Sequence, residues 1–294
     1  MVCSPHNSVV MERNTDVDEV VELSAGAAPR EFGKQFRGGL DLAIALAPRS
    51  DDITLVGSTR AKKRVGYTYV RRYMTRLSAL YHLTETMLSE ADPELADRNP
   101  QLRVRHEVDQ LLDLVALAGA TQRVASLRLD VSDDDRAALE YLPKDPLVMH
   151  LGARWFRGGS TLESTIEVVR ALGRFGLPVA VTYAPECEQY IERIAEARVA
   201  DVLLGGLPFF RWAAVFERAK AIVTVDTGAT HVASAMRRPT VVVFEHRYFR
   251  LNSQEWSPYG VPSVLVRKPI EETQASLARL RGEIVDGVAE LLHA

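Results

Sequence analysis

In the second half of the chain, short apolar runs alternate with longer stretches of helical spacing. Leu147 to Leu151, Val179 to Tyr183, Val202 to Leu204, Ile222 to Val225 and Thr240 to Phe244 are the runs, short and rich in β-formers. Ser160-Thr-Leu-Glu163 reads as a capping box, and Leu162, Ile166, Val169 and Leu172 recur on one helical face until Gly176-Leu-Pro178 stops it. Glu186 to Ala197, Pro208 to Ala219 and Glu271 to Leu292 complete the predicted helices. Strands alternating with helices predict right-handed crossovers and a parallel, doubly wound sheet.

The first half is less regular. Residues 1–36 carry only a weak amphipathic patch at Val17, Val20, Val21 and Leu23 and are expected to be a poorly ordered lead. Leu40 to Leu46 predicts a buried strand ended by Pro48, and Ile53 to Val56 starts an apolar, helix-compatible segment near Gly57. Glu90 to Gln101 reads as a loop, His106 to Gly119 as a helix with Val108, Leu111, Leu112 and Val115 on one face, and Arg128 to Val131 as a strand. Asp133-Asp-Asp135 opens a helix, where acids are favoured, rather than holding a metal. Leu142-Pro-Lys-Asp-Pro146 reads as a hinge, so the expected divisions are a lead over 1–36, a first domain over 37–144 and a second over 145–294.

A length of 294 residues with 47% apolar content supports two cores. A net charge of −3 lacks the basic excess of a nucleic-acid binder. Two cysteines, Cys3 and Cys187, are too few for a disulfide framework or structural zinc and fit a reducing cytoplasm, and no run approaches the roughly 18 apolar residues that span a bilayer.

Chemistry concentrates where Ile222 to Val225 leaves through Asp226-Thr227-Gly228 into Ala229-Thr230-His231 and an Ala-rich helix. A strand-to-helix turn presents free N–H groups at the positive end of a helix dipole, which suits a phosphate. Gly228 allows close approach, Thr227 and Thr230 offer hydroxyl donors, and His231 offers a ring N–H. Asp226 repels phosphate; it caps the helix or holds a ribose or sugar hydroxyl. In a parallel sheet His150 to Arg157, Gly205-Gly206 and Asp226 to His231 all leave carboxyl ends of strands and are expected around one pocket. Arg154 or Arg157 would balance a diphosphate, with Gly158-Gly159 adding amides, while His150 reads as hydrogen-bonded structure.

Asp226-Thr-Gly-x-x-His231 with Ala233, Ala235 and Pro239, a following strand and Trp256-Ser-Pro258-Tyr-Gly260 resembles the carboxy-terminal signature of glycosyltransferase family 9, the bacterial heptosyltransferases. His150-Leu-Gly-Ala-Arg154-Trp155, Arg64-x-Gly-Tyr67 and His106-x-Val-Asp109 are similar to further family segments. The resemblance implies an α/β fold of GT-B type, two Rossmann-like domains facing a cleft. The donor would be a nucleotide-diphosphate sugar bound in the second domain at Asp226, Thr227, Gly228, Ala229, Thr230, His231, Arg154 and Arg157. The acceptor would be a lipopolysaccharide core or related envelope glycan. It implies inverting transfer without metal or cofactor, in the cytoplasm with peripheral contact at the inner membrane, and Trp256 to Gly260 either closes over the donor or packs on the core. Lys62 to Arg72 and Arg237-Arg238 are basic stretches that could lean toward anionic lipid or core saccharide phosphates, while Lys62-Lys-Arg64 reads first as a solvated surface turn.

Two departures stand out. The family's lysine downstream of His150 is missing, leaving Arg154 or Arg157 to replace it. Residues 1–39 hold no apolar strand with a Gly-Asp loop carrying the base, so the first domain reads as incomplete and no catalytic base is assigned; Asp51 and Asp52 read as turn residues. The chain is then either a shortened transferase or a nucleotide-sugar-binding or assembly protein that has lost transfer, with a nucleotide-sugar epimerase as a third reading.

Overall fold

The computed structural model describes residues 1–158 and 160–293. It divides into two compact units, Met1–Ala125 and Ser126–Ala294.

The first unit runs β1 (Val2–Cys3), α1 (Pro5–Met11), β2 (Val21–Glu22), α2 (Pro29–Lys34), β3 (Leu42–Ala45), α3 (Ser50–Thr59), β4 (Lys63–Tyr69), α4 (Tyr73–His82), β5 (Glu85–Ser89), α5 (Pro93–Arg98) and α6 (Glu107–Ala118). Strands β1 and β2 form one parallel pair, and β3, β4 and β5 a parallel sheet in chain order. Ile53, Val56, Ala79 and Leu83 pack with Ala45 on one side of that sheet, and Leu114 packs with Val65 and Tyr67. The expected lead over 1–36 is corrected: it holds the β1–β2 pair and two helices, each begun by a proline at its first turn, where no N–H is missed. Glu90 to Gln101, expected as a loop, contains α5, whose cap Asp92 accepts from the amides of Glu94 and Leu95. The Arg64–Tyr67 and His106–Asp109 motifs meet, because the Tyr67 hydroxyl donates to the buried Glu107 carboxylate.

The second unit runs α7 (Asp133–Ala137), β6 (Leu147–Leu151), α8 (Leu162–Leu172), β7 (Val179–Tyr183), α9 (Ile191–Glu196), β8 (Val202–Leu204), α10 (Phe209–Arg218), β9 (Ala221–Val225), α11 (Gly228–Ala235), β10 (Thr240–Phe244), α12 (Phe249–Glu255), β11 (Ser263–Arg267) and α13 (Gln274–His293). All six strands are parallel, in the order β11-β10-β9-β6-β7-β8. Alternate side chains go to opposite faces. Leu147, Met149 and Leu151 join one core with α8 and α13, while Val148 and Ile222 join another with α10 and α11. Both faces are thus covered, which is why the strands read as continuous apolar runs.

Three boundaries differ from expectation. Arg128 to Val131 forms no strand, although Val131 is buried. The helix α8 is capped by Thr161 with Ser164, one residue after the expected box; Ser160 is buried instead. Residues 126–144 belong to the second unit rather than the first, because Val131, Leu139 and Leu142 pack with Ala213, Phe216 and Val148.

Candidate functional site

Strand order reverses between β6 and β9: the chain proceeds from β6 outward through β7 to β8, then returns to β9 beside β6. The loops that leave two such strands diverge and open a crevice at their carboxyl ends. After β6 comes a 3₁₀ turn, Ala153–Phe156; after β9 comes the Asp226–Thr227 turn into α11. Of the three expected segments these two meet. Gly205-Gly206 follows β8, three strand spacings or roughly 14 Å from β9, and Gly205 serves packing, since a Cβ there would lie 2.1 Å from the Tyr183 ring.

The link between the two turns is Arg154. Its Nη1 donates to the Asp226 carbonyl at 2.8 Å and to Asp226 Oδ2 at 2.7 Å. The guanidinium is half exposed and the carboxylate mostly covered. Burial raises the Asp226 pKa above the usual carboxylate range; Arg154 opposes that shift and Glu245, at the end of β10, adds to it. Asp226 therefore holds an arginine, not the helix: the cap of α11 is Thr227, whose hydroxyl accepts from the Ala229 amide at 3.4 Å.

Two of the expected ligand contacts turn inward. Thr230 is fully buried and its hydroxyl donates to the Val225 carbonyl, so it ties α11 to β9 instead of facing a ligand. Ala229 is buried, with its amide taken by Thr227. By contrast, Gly228 is exposed with nothing within 4 Å of a built Cβ, and the amides of Thr227 and Gly228 take no part in hydrogen bonds among the described residues. His231 is half-buried, its ring edge-on to Trp256 at 5.9 Å. The Trp256–Gly260 loop is held to α11 by that contact and by the Tyr259 amide, which donates to Ser234 Oγ at 3.0 Å. Arg157 is exposed; Gly159 lies outside the described residues.

Beneath the 3₁₀ turn lies a residue that sequence reasoning missed. Lys268, just after β11 and 1% exposed, donates from Nζ to the carbonyls of Arg154 (2.6 Å), Trp155 (2.7 Å) and Arg157 (2.6 Å). Burial lowers its pKa to about 8, against the pull of Glu245 and Glu272. The signal available was a lysine two residues past the apolar Val264 to Val266, at the end of a strand of a covered sheet. Trp155 fixes the same turn from the other side, buried with Nε1 donating to Thr165 Oγ1 at 2.7 Å. His150 is structural: its Nδ1 lies 2.9 Å from Thr182 Oγ1, its ring packs on Trp212 and Phe216, and burial lowers its pKa to about 4. In the first unit Asp52 sits in the opening turn of α3, paired with Arg49 at 2.6 Å.

Among the described residues no group of three or more His, Cys, Asp or Glu side chains comes together as a metal site, and no helix is long and apolar enough to cross a membrane. The crevice offers instead a guanidinium whose Nε and Nη2 take no hydrogen bond among the described residues, two amides at a helix start that likewise take none there, and a histidine backed by tryptophan: an anion site with a ring-lined margin.

No curated protein matches the chain. Among solved structures it resembles a family 9 glycosyl transferase from Veillonella parvula DSM 2008 (TM-score 0.73, 16% identity, 99% of this chain and 87% of that one). It also resembles the E. coli ADP-heptose lps heptosyltransferase II (0.71, 16%, 99% and 88%). The E. coli heptosyltransferase WaaC with ADP is a third (0.70, 18%, 99% and 89%). These likenesses establish the α/β, GT-B type fold with parallel sheets. The model of glycosyltransferase family 9 (heptosyltransferase) matches residues 30–281, spanning both units and every motif discussed above, and by that match the chain belongs to glycosyltransferase family 9.

Proposed function

We propose that the second unit grips the diphosphate of a nucleotide-diphosphate sugar, and that the chain transfers the sugar, with inversion, to a lipopolysaccharide core or related envelope glycan. The observation that carries this reading is Arg154 held by Asp226 at the switch point, beside the open amides of Thr227 and Gly228. With Nη1 anchored, the remaining guanidinium edge faces a phosphate in fixed orientation, and the amides supply the second set of donors. In the reaction, the acceptor oxygen attacks the anomeric carbon as its bond to the diphosphate breaks, and a base takes the acceptor's proton. Negative charge grows on the leaving diphosphate, where Arg154, Arg157 and the dipole of α11 stabilise it without metal. His231 reaches a phosphate or sugar oxygen.

The WaaC relative is seen with ADP and with ADP-2-deoxy-2-fluoro heptose, which makes an ADP-sugar the first donor to test. Donor and acceptor of this kind meet on the cytoplasmic side of the inner membrane, with the chain in peripheral contact.

Calorimetric titration with ADP-, GDP- and UDP-sugars, followed by transfer to a core acceptor lacking the terminal sugar, tests the reading. Arg154→Ala should weaken donor binding by about tenfold or more, the worth of one charge-assisted pair. Asp226→Ala should weaken it too, by freeing Arg154. No heat with any donor at millimolar concentration would refute the site. Binding without turnover favours the second reading, a nucleotide-sugar-binding or assembly protein.

A further inference from the structure

Helix α4 is turned inside out. A surface helix ordinarily directs its apolar stripe to the core, yet here Thr75 and Ala79 are the buried positions. Outward stand Tyr73 (67% exposed), Met74 (73%), Leu80 (78%) and Tyr81 (81%), with Leu77 beside them. Soluble monomers rarely expose so continuous an apolar patch without a use for it.

The charges beside the patch indicate what covers it. The helix has no acidic residue, and Arg71, Arg72 and Arg76 are exposed at its amino-terminal end. Arg71 pairs with Glu94 at 3.1 Å. Arg72 lies over the Tyr69 ring and Arg76 donates to the Val70 carbonyl, so neither of these two contacts neutralises a charge. A protein groove deep enough for the leucines would desolvate these guanidinium groups. A bilayer leaflet accepts both, since acyl chains take the apolar side chains while lipid phosphates meet the arginines at headgroup level. Tyrosines near both ends suit the same boundary, apolar ring inward and hydroxyl outward.

We propose that α4 is a docking helix that lies flat in the headgroup region of an anionic bilayer, seated by Met74, Leu77 and Leu80 and held by Arg72 and Arg76. This extends the peripheral contact in the functional reading by assigning a surface and a lipid charge, and it needs neither donor nor acceptor.

Flotation of the full chain with vesicles tests it. Vesicles of phosphatidylcholine with about one-third phosphatidylglycerol should carry the protein at least about tenfold better than phosphatidylcholine alone, given the attraction of each arginine to an anionic surface. Binding should weaken as salt rises above roughly 0.3 M, where screening shortens the field. The double variant Met74→Glu with Leu80→Glu should stay in solution with an unchanged circular dichroism spectrum and melting temperature, because both side chains already face solvent. Arg72→Glu with Arg76→Glu should lose the preference for anionic vesicles. The proposal is overturned if the unmodified chain ignores anionic vesicles or the Met74/Leu80 variant floats equally well. It also falls if the chain forms a dimer that this variant disperses while no vesicle binding occurs, which would assign the face to a second copy. None of these outcomes touches the donor titrations.

Discussion

At the scale of single residues, the site depends on a lysine that never meets the ligand. The Lys268 ammonium has three N–H bonds and three carbonyls to receive them, all from the turn that carries Arg154. Lys268→Met leaves those carbonyls without a donor and should cost about 3 kcal/mol of stability, with weaker donor binding because Arg154 is no longer aimed. The pH dependence separates two effects. With a folded pKa of about 8 and an unfolded value of about 10.4, the native chain releases this proton first, so the group's contribution to stability rises with pH across that window. Donor affinity should move the other way, because a neutral amine has only two N–H bonds for three acceptors. Titration at pH 7 and pH 9, beside denaturant unfolding, should show opposite slopes in the unmodified chain and neither in Lys268→Met; equal slopes in both proteins would defeat the assignment. His150 gives a simpler case. Its folded pKa of about 4 lies below the unfolded value of about 6.5, so stability is lost as pH falls through that range, by about 3 kcal/mol at pH 4. His150→Phe should flatten this part of the acid-unfolding curve.

At the scale of elements, legibility followed burial. Strands β6, β7, β9 and β10 were readable because both faces of their sheet are covered and nearly every residue is apolar or β-branched, His150 in β6 being the exception. Strand β11 was not predicted, because its five residues begin with a serine, end with an arginine and lie between Pro262 and Pro269. Helix α4 was missed although Tyr73, Met74, Leu77, Leu80 and Tyr81 recur at helical spacing; such a pattern marks an apolar stripe but not that the stripe faces outward. Within the site, the sequence located the β9–α11 turn but not which side chains turn inward, since a threonine hydroxyl satisfies a strand-end carbonyl as readily as a ligand. Helix α13 shows how far context decides. A Cβ on Gly287 would lie 2.9 Å from Val264 on β11, whereas one on Gly282 meets nothing within 4 Å. Gly287→Ala should therefore push the helix off the sheet and destabilise by about 1–3 kcal/mol. Gly282→Ala should stabilise by about 0.5–1 kcal/mol through helix propensity. Urea midpoints of the two variants shifting in the same direction would contradict this packing.

At the scale of the whole molecule, the ordered motifs carried the family, while the boundary between units did not follow the most obvious punctuation. Prolines at 143 and 146 suggest a hinge, yet Leu139 and Leu142 are buried in the core of the second unit and α7 is joined to α10 by Arg136, which pairs with Glu217 at 2.8 Å. A fragment cut at the prolines would expose that core and lose the pair. A fragment of Ser126–Ala294 keeps both apolar clusters of the second unit and every residue of the candidate donor site, from Arg154 to Lys268. Its length is that of an ordinary single domain. It should unfold in one cooperative transition and bind the donor within about threefold of the full chain. Donor binding that requires residues 1–125 would show that the crevice at β6 and β9 is incomplete, and the second unit would then no longer suffice as the seat of the diphosphate.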